Sequence, residues 1–333
     1  MLNNLDQQTF GALVEPHRHE LQAHAYRMLG SVQEAEDLVQ DTFLRAWQRR
    51  DTYAGRAPLR AWLYRITTNL CLDRLDQRQQ PGRTLPQARQ APSSGADPLP
   101  PAVLEPVWLE PYPDELLAPD DGNPESRYTM RESVTLAFMA SLQLLPPRQR
   151  AVLILRDVLD WPASETADLL DVSVAAVKSA LHRARTTLSA HYDAVQFERL
   201  SLAGLDAARQ QQLDRYARAW EMADVDGLAA LLKADATFSM PPNPLWVRGI
   251  DDIRALVGRS IFGGQPGRWR LTPTRANCEA GFGLYRINDQ DGSYHAYGVQ
   301  VVSFDGDRIA SMTTFRVPAL VKYFNLPDVL SEK

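Results

Sequence analysis

The residues best able to do chemistry together lie near the middle of the chain. Lys178, His182, Arg183 and Arg185 recur at helical spacing behind the small residues Ser173, Ala175, Ala176 and Ser179. No acid falls between Asp171 and Asp193. Small side chains at the start of a helix let it approach base edges, and cations along its length neutralise phosphates. The chemistry implied is the reading of duplex DNA. An ordinary helical hairpin with a solvated basic face has the same spacing, so the surrounding elements must decide.

Those elements are legible. Pro146 and Pro147 end one helix and open the next, because proline fits a first helical turn and no later one. Val152, Leu153 and Leu155 give that helix an apolar face, and another helix starts near Pro162, after Trp161. Ala167 is small enough for a close helix crossing, and Leu170 faces the core. Asp171, Val172 and Ser173 form a turn in which Ser173 is placed to cap the next helix. Val177, Leu181, Ala184 and Leu188 then recur at core spacing. The expectation is a helix-turn-helix with a basic outer face.

The runs Leu145-Pro-Pro-Arg-Gln-Arg and Ala176-Val177-Lys178-Ser179-Ala180-Leu181-His182-Arg183-Ala184-Arg185 resemble region 4 of sigma-70-type sigma factors, above all the extracytoplasmic-function class. Asp171 stands where glycine is common in that family, a mild departure because Asp tolerates a left-handed turn. Thr166 stands where isoleucine is common, which implies looser packing. The resemblance assigns Ser173, Ala175, Ala176, Lys178, Ser179, His182, Arg183 and Arg185 to the −35 promoter element.

The N-terminal third points the same way. In Ala35 to Trp47, Leu38, Thr42 and Ala46 share one face at i, i+4, i+8, while Asp37, Gln40, Asp41 and Arg45 stay polar on others. This resembles sigma region 2.2, and the resemblance assigns those four polar residues to core RNA polymerase. Ala57 to Arg74 resembles regions 2.3 and 2.4, which open and read the −10 element. Melting needs charge against phosphates and a pocket for an unstacked base. Arg60, Arg65 and Arg74 supply the charge, Thr67, Thr68 and Asn69 the hydrogen bonds, and Asp73 belongs to the same motif. Trp62, Leu63, Ile66 and Leu70 read as core.

Composition sets the outer bounds. The 333 residues accommodate two or three domains. No run of about 18 apolar residues exists, so no membrane-spanning helix is expected. MLNNLDQQTF lacks a signal-peptide shape. Cys71 and Cys278 argue against a disulfide framework and fit a reducing cytoplasm. Neither has metal-ligating company, and no metal or cofactor is expected. A net charge of −5 is unusual for a free-standing DNA binder and suits a protein that meets DNA within a larger assembly.

Two boundaries show. From Pro81 to Pro124 the chain holds 11 of its 23 prolines and no periodicity, the pattern of a linker. Its second half is acidic (Glu105, Glu110, Asp114, Glu115, Asp120, Asp121, Glu125), with no basic residue between Arg89 and Arg127. In a sigma factor this connector would thread the polymerase channels, where an acidic strand imitates nucleic acid. A merely solvated linker has the same composition. Trp108-Leu109-Glu110-Pro111-Tyr112-Pro113 offers an anchor for a docked one.

The second boundary lies near Phe197 to Leu205. Beyond it helices give way to strands from Trp269 to Val317, with Asp305-Gly306 as a hairpin turn. The run around Asp226-Gly227-Leu228 and Asp235-Ala-Thr-Phe resembles the SnoaL-like, nuclear-transport-factor-2-like fold, an α+β cone with a curved antiparallel sheet. Relatives of that fold catalyse with Asp, His or Tyr inside the cone. The candidates here are Asp235, Glu279, Tyr285, Tyr294, His295 and Tyr297, and no pair has a spacing that demands a general base. Met240, Pro241, Pro242 and Trp246 form a rigid apolar patch suited to docking on the sigma core.

The expected protein is multidomain and not an enzyme. Residues 1–80 and 127–195 form two all-α sigma domains, a region 2 helical bundle and a region 4 helix-turn-helix. A Pro-rich linker at 81–126 joins them, and the cone occupies 205–325. Its partners are core RNA polymerase and promoter DNA, with no membrane. The cone adjusts activity through a small-molecule ligand or an intramolecular contact. The competing reading is a helix-turn-helix regulator fused to a ligand-binding or enzymatic cone.

Overall fold

Side-chain caps and prolines set the helix boundaries of the N-terminal half. The computed structural model describes residues 5–53, 55, 57–78, 82–103, 108–117, 133–190 and 207–330. Asp6 accepts from the Thr9 amide at 2.7 Å and starts α1 (Gln7–Val14). α2 (Arg18–Leu29) ends at Gly30, whose φ of 71° suits glycine. Ser31 then caps α3 (Val32–Gln48) by accepting from the Glu34 amide. α4 (Leu59–Gln77) follows Pro58. Thr135 caps α5 (Leu136–Leu142). Pro147 opens α6 (Pro147–Leu153), which continues as a π-helical turn over Ile154–Val158. α7 (Ala163–Leu170) ends on Asp171 with φ 54°, and Ser173 caps α8 (Val174–Ser189). The expected helix-turn-helix, its left-handed Asp171 and its cap are therefore present.

The chain divides into two compact units, Met1–Arg83 with Leu116–Tyr192, and Thr84–Glu115 with Asp193–Lys333. In the first, the two helical modules share a core. Phe10, Leu21, Leu63 and Tyr64 cluster with Leu155, Trp161 and Leu169, and the Tyr64 and Trp161 rings lie 5.2 Å apart. At this junction Arg150 is 1% exposed and donates to the carbonyls of Met28, Gln143 (2.9 Å) and Leu145 (3.0 Å) and to Gln143 Oε1 (2.7 Å). Burial lowers its pKa, and the four oxygens compensate the cation. Gln143 Nε2 in turn donates to the Arg27 carbonyl at 3.0 Å.

The second unit runs α9 (Ala207–Glu221), α10 (Val225–Ala229), β1 (Leu232–Ser239), β2 (Trp246–Arg248), α11 (Ile250–Leu256), β3 (Trp269–Ala276), β4 (Glu279–Ile287), β5 (Tyr294–Asp305), β6 (Arg308–Phe315) and β7 (Val329–Leu330). The strand order is β2-β1-β6-β5-β4-β3, with β7 on β5. The sheet is mixed, because β1 pairs with β6 in parallel. A helix and four strands separate β1 from β6 in the chain, so no hairpin dictates their relative direction. Inside, Trp220 meets Phe262 and Trp269 edge-on at 5.3 and 5.6 Å, and Phe282 stacks on Tyr216.

Residues 84–103 and 108–115, expected as part of a linker between the two sigma domains and docked, if anywhere, in the polymerase channels, belong to this second unit. The Trp246 indole N–H donates to the Gln90 carbonyl at 2.8 Å, and the Ser93 amide returns to the Trp246 carbonyl at 2.8 Å. Val103 N–H donates to the Pro242 carbonyl at 2.9 Å, and the Asn243 amide to the Pro100 carbonyl at 2.7 Å. Further along, Tyr112 and Asn277 exchange two bonds, Asp114 accepts from Arg275 and the Cys278 amide, and Trp108, Leu109 and Tyr112 are buried. In the patch Met240, Pro241, Pro242 and Trp246, Met240 is part of the cone's core while Pro242 and Trp246 are held by the linker, so it is not a free apolar docking surface. Of the acidic run, Glu105, Asp120, Asp121 and Glu125 lie outside the described residues, as does the boundary at 197–205.

Two stability outcomes follow. Arg150→Met leaves four buried oxygens without a donor and should lower the unfolding free energy by about 3 kcal/mol in urea titration. Thr166 is fully buried and its hydroxyl has no hydrogen-bond partner, so Thr166→Val should raise stability by about 1 kcal/mol.

Candidate nucleic-acid interface

The recognition helix is built outward from its core seam. Val177, Leu181 and Ala184 are buried, and Leu188 is half-buried. At about 100° per residue, Ala175, Ser179 and His182 stand opposite that seam. Lys178 and Arg185 lie on one flank, Ala176 and Arg183 on the other. All of these, with Ser173, are exposed. Ser173 accepts from the Ala176 amide at 3.1 Å, fixing the end that would enter a groove. Small and polar groups thus occupy the centre, and cations the edges nearest to phosphates. Arg183 donates to Ser179 Oγ at 2.7 Å. Arg185 is bidentate to Asp157 (2.9 and 2.7 Å), so it anchors α8 to the π-helical turn.

The α4 face needs a correction. Thr67 and Thr68, expected at base edges, are fully buried. Thr67 donates to the Leu63 carbonyl at 2.9 Å and meets Thr42 Oγ1 at 3.2 Å where α3 and α4 cross. Thr68 Oγ1 lies 2.9 Å from His24 Nε2, and burial lowers the His24 pKa to about 3. Their hydroxyls satisfy the helix crossing. The outward face of α4 carries Arg65, Asn69 and Asp73, beside Trp62 and Ile66, which are only half-buried. Trp62 packs on Tyr53 at 5.2 Å. Trp62 and Ile66 pack against the core cluster, as expected, with part of each left at the edge of this face. Arg60 is committed to Glu20 at 2.6 Å.

The polymerase-binding candidates lie on the neighbouring helix. Asp37, Gln40, Asp41 and Arg45 are exposed on α3, while Leu38, Thr42 and Ala46 are buried. Leu44, unremarked by the sequence reading, sits among them and is 55% exposed. An exposed leucine ringed by polar residues fits a protein contact, and its i+3/i+4 spacing from Gln40 and Asp41 was the available signal. Across a groove of about 130 Å³, Arg45 faces Asp73 at 4.0 Å and Arg74 faces Asp41 at 3.9 Å. All four side chains are well exposed, so these pairs are weak and readily exchanged for partners in another macromolecule.

The candidate catalytic groups of the cone do not converge. Exposed Asp235 pairs with Lys233 at 3.7 Å, and half-buried His295 with Asp291 at 2.8 Å. Tyr285 donates to the Pro327 carbonyl at 2.8 Å and Tyr294 to the Gly267 carbonyl at 2.6 Å. Glu279 accepts from Ser303, and Tyr297 packs edge-on to Trp269. Among the described residues no group of His, Cys, Asp and Glu is arranged to hold a metal ion, and no helix is long and apolar enough to cross a membrane.

Removing Lys178 or Arg183 as alanine should each lower the slope of log K against log salt for promoter binding by about 1. Fluorescence anisotropy of the polymerase-bound protein across a salt series checks this.

Three family models match in chain order: sigma-70 region 2 over residues 13–80, sigma-70 region 4 over 135–188, and a SnoaL-like domain over 213–312. The ECF RNA polymerase sigma factor SigG of Mycobacterium tuberculosis is 42% identical over 324 residues, covering 96% of this chain and 85% of SigG. The ECF RNA polymerase sigma factor SigJ of the same organism is 31% identical over 250 residues, covering 74% of this chain and 70% of SigJ. The crystal structure of SigJ matches with a TM-score of 0.54 at 23% identity, covering 97% of this chain and 100% of that one, a likeness of fold. With these motifs, this fold and this identity along nearly its whole length, the chain belongs to the ECF RNA polymerase sigma factors.

Proposed function

We propose that the protein directs core RNA polymerase to its promoters through three exposed faces. The α3 face of Asp37, Gln40, Asp41, Leu44 and Arg45 binds the polymerase. The outward face of α4, with Arg65, Asn69 and Asp73 flanked by Trp62, opens and reads the −10 element. The α8 face of Ser173, Ala175, Ala176, Lys178, Ser179, His182 and Arg183 reads the −35 element. The observation that carries this is the exposure of all three faces on helices whose opposite sides are buried. Arg60, Arg74 and Arg185 steer from their ion pairs, and Thr67 and Thr68 hold the α3–α4 crossing.

In this reading the second unit does no bond chemistry and adjusts the activity of the first. The supporting observations are the scatter of its titratable groups and an interior filled by Trp220, Phe262 and Trp269. The protein works in the cytoplasm, where its polymerase partner is found.

Run-off transcription with purified core polymerase tests the assignment. RNA should start from a cognate promoter only when the protein is added. Leu44→Asp, at an exposed position, should keep the thermal melt and cut the RNA at least tenfold. Full transcription by that variant would remove α3 as the polymerase face.

A further inference from the structure

The interior of the cone is closed by aromatic rings, but the second unit keeps one sizeable opening elsewhere. A cavity of about 510 Å³ lies between α9, the β3–β4 pair, the turn after Phe324 and the tail of the linker. That volume is in the range of small-molecule sites. Its apolar wall is Leu213, Ala217, Phe282 and Phe324. Gln210, Leu213, Asp214 and Ala217 form one stripe of α9 at i, i+3, i+4, i+7. Within that stripe Ala217 presents only a methyl group to the cavity.

The rim is acidic. Asp114 is matched by Arg275 at 2.9 Å. Glu115 accepts from the amide of Asn325 at 2.6 Å, and Asp214 from the amide of Gln210 at 3.0 Å. Among the described residues neither Glu115 nor Asp214 pairs with a cation. An apolar wall under two unmatched carboxylates favours one class of occupant.

We propose that this cavity binds a small apolar molecule carrying a cationic group, such as an alkyl- or arylammonium, and that the docked linker completes the site. Pro113, Asp114 and Glu115 form part of the wall, so the ligand binds the linker-docked form more tightly. By linkage, occupancy shifts the linker toward its docked state. The inference concerns the second unit and stands whether or not the promoter assignments hold.

The test is calorimetric titration of the full chain with n-octylammonium chloride and, separately, sodium n-octanoate at equal ionic strength. Hydrogen exchange of the Tyr112 and Asn277 amides is followed in parallel. The expected result is saturable one-to-one binding of the ammonium, at least tenfold weaker binding of the carboxylate, and slower exchange of both amides on saturation. Ala217→Phe should abolish binding. Asp214→Lys, at an exposed position, should reverse the preference between the two probes and settles the matter if Ala217→Phe fails to fold. Non-saturating uptake, equal affinity for both probes, unchanged exchange, or an unaltered preference in Asp214→Lys would each overturn the proposal.

Discussion

The arrangement of the first unit hangs on one buried cation. The guanidinium of Arg150 leaves water entirely, which is costly unless every remaining proton finds an acceptor. Its Nη1 and Nη2 find acceptors at the end of α2, in Gln143 and at Leu145, while Nε has none among the described residues, so residues far apart in the chain must meet in one geometry. A hydrophobic contact tolerates sliding; a planar fork with four fixed acceptors does not. The Tyr64–Trp161 contact and the shared leucines add area around that point. The α3 and α4 faces are then held on the same core as the helices α6 and α7 on which α8 packs.

The second unit solves a different problem. A proline-rich strip has few amides, and the carbonyls it carries must be satisfied when it leaves water. The cone supplies donors where they are needed: the Trp246 indole, the Asn243 amide and the Arg259 guanidinium, which reaches the Ala96 and Asp97 carbonyls. Where the strip does offer amides, at Gly95 and Tyr112, the acceptors are the side chains of Asp252 and Asn277. The β3–β4 turn, with Asn277 and Cys278 both at positive φ, has its two amides engaged by Tyr112 and Asp114.

What the sequence revealed and what it hid follow from range. Caps and prolines act within a few residues, so Ser173, Asp171 and Pro147 could be read directly. The core spacing of α8 and α3 was equally plain. Thr67 and Thr68 were misread because a threonine suits a base edge or a buried crossing equally well, and only Thr42 and His24, distant in sequence, decide between them. Leu44 was missed because one exposed leucine looks like core until its neighbours' burial is known. The linker has no periodicity to read, so its docking, and its hold on Pro242 and Trp246, depended on partners more than a hundred residues away. The parallel β1–β6 pair was hidden for the same reason.

Proline has a further effect on the docked strip. Pro86, Pro92, Pro98, Pro100, Pro101, Pro111 and Pro113 each fix φ whether the strip is seated or loose. The released chain therefore gains less conformational freedom than an ordinary loop of that length. It also exposes few unsatisfied amides to solvent. Release and reseating thus differ little in backbone entropy, and the side-chain contacts at Trp108, Tyr112 and Trp246 largely set the balance. A strip built this way behaves as a stiff latch, whose position a modest change in a few contacts can alter.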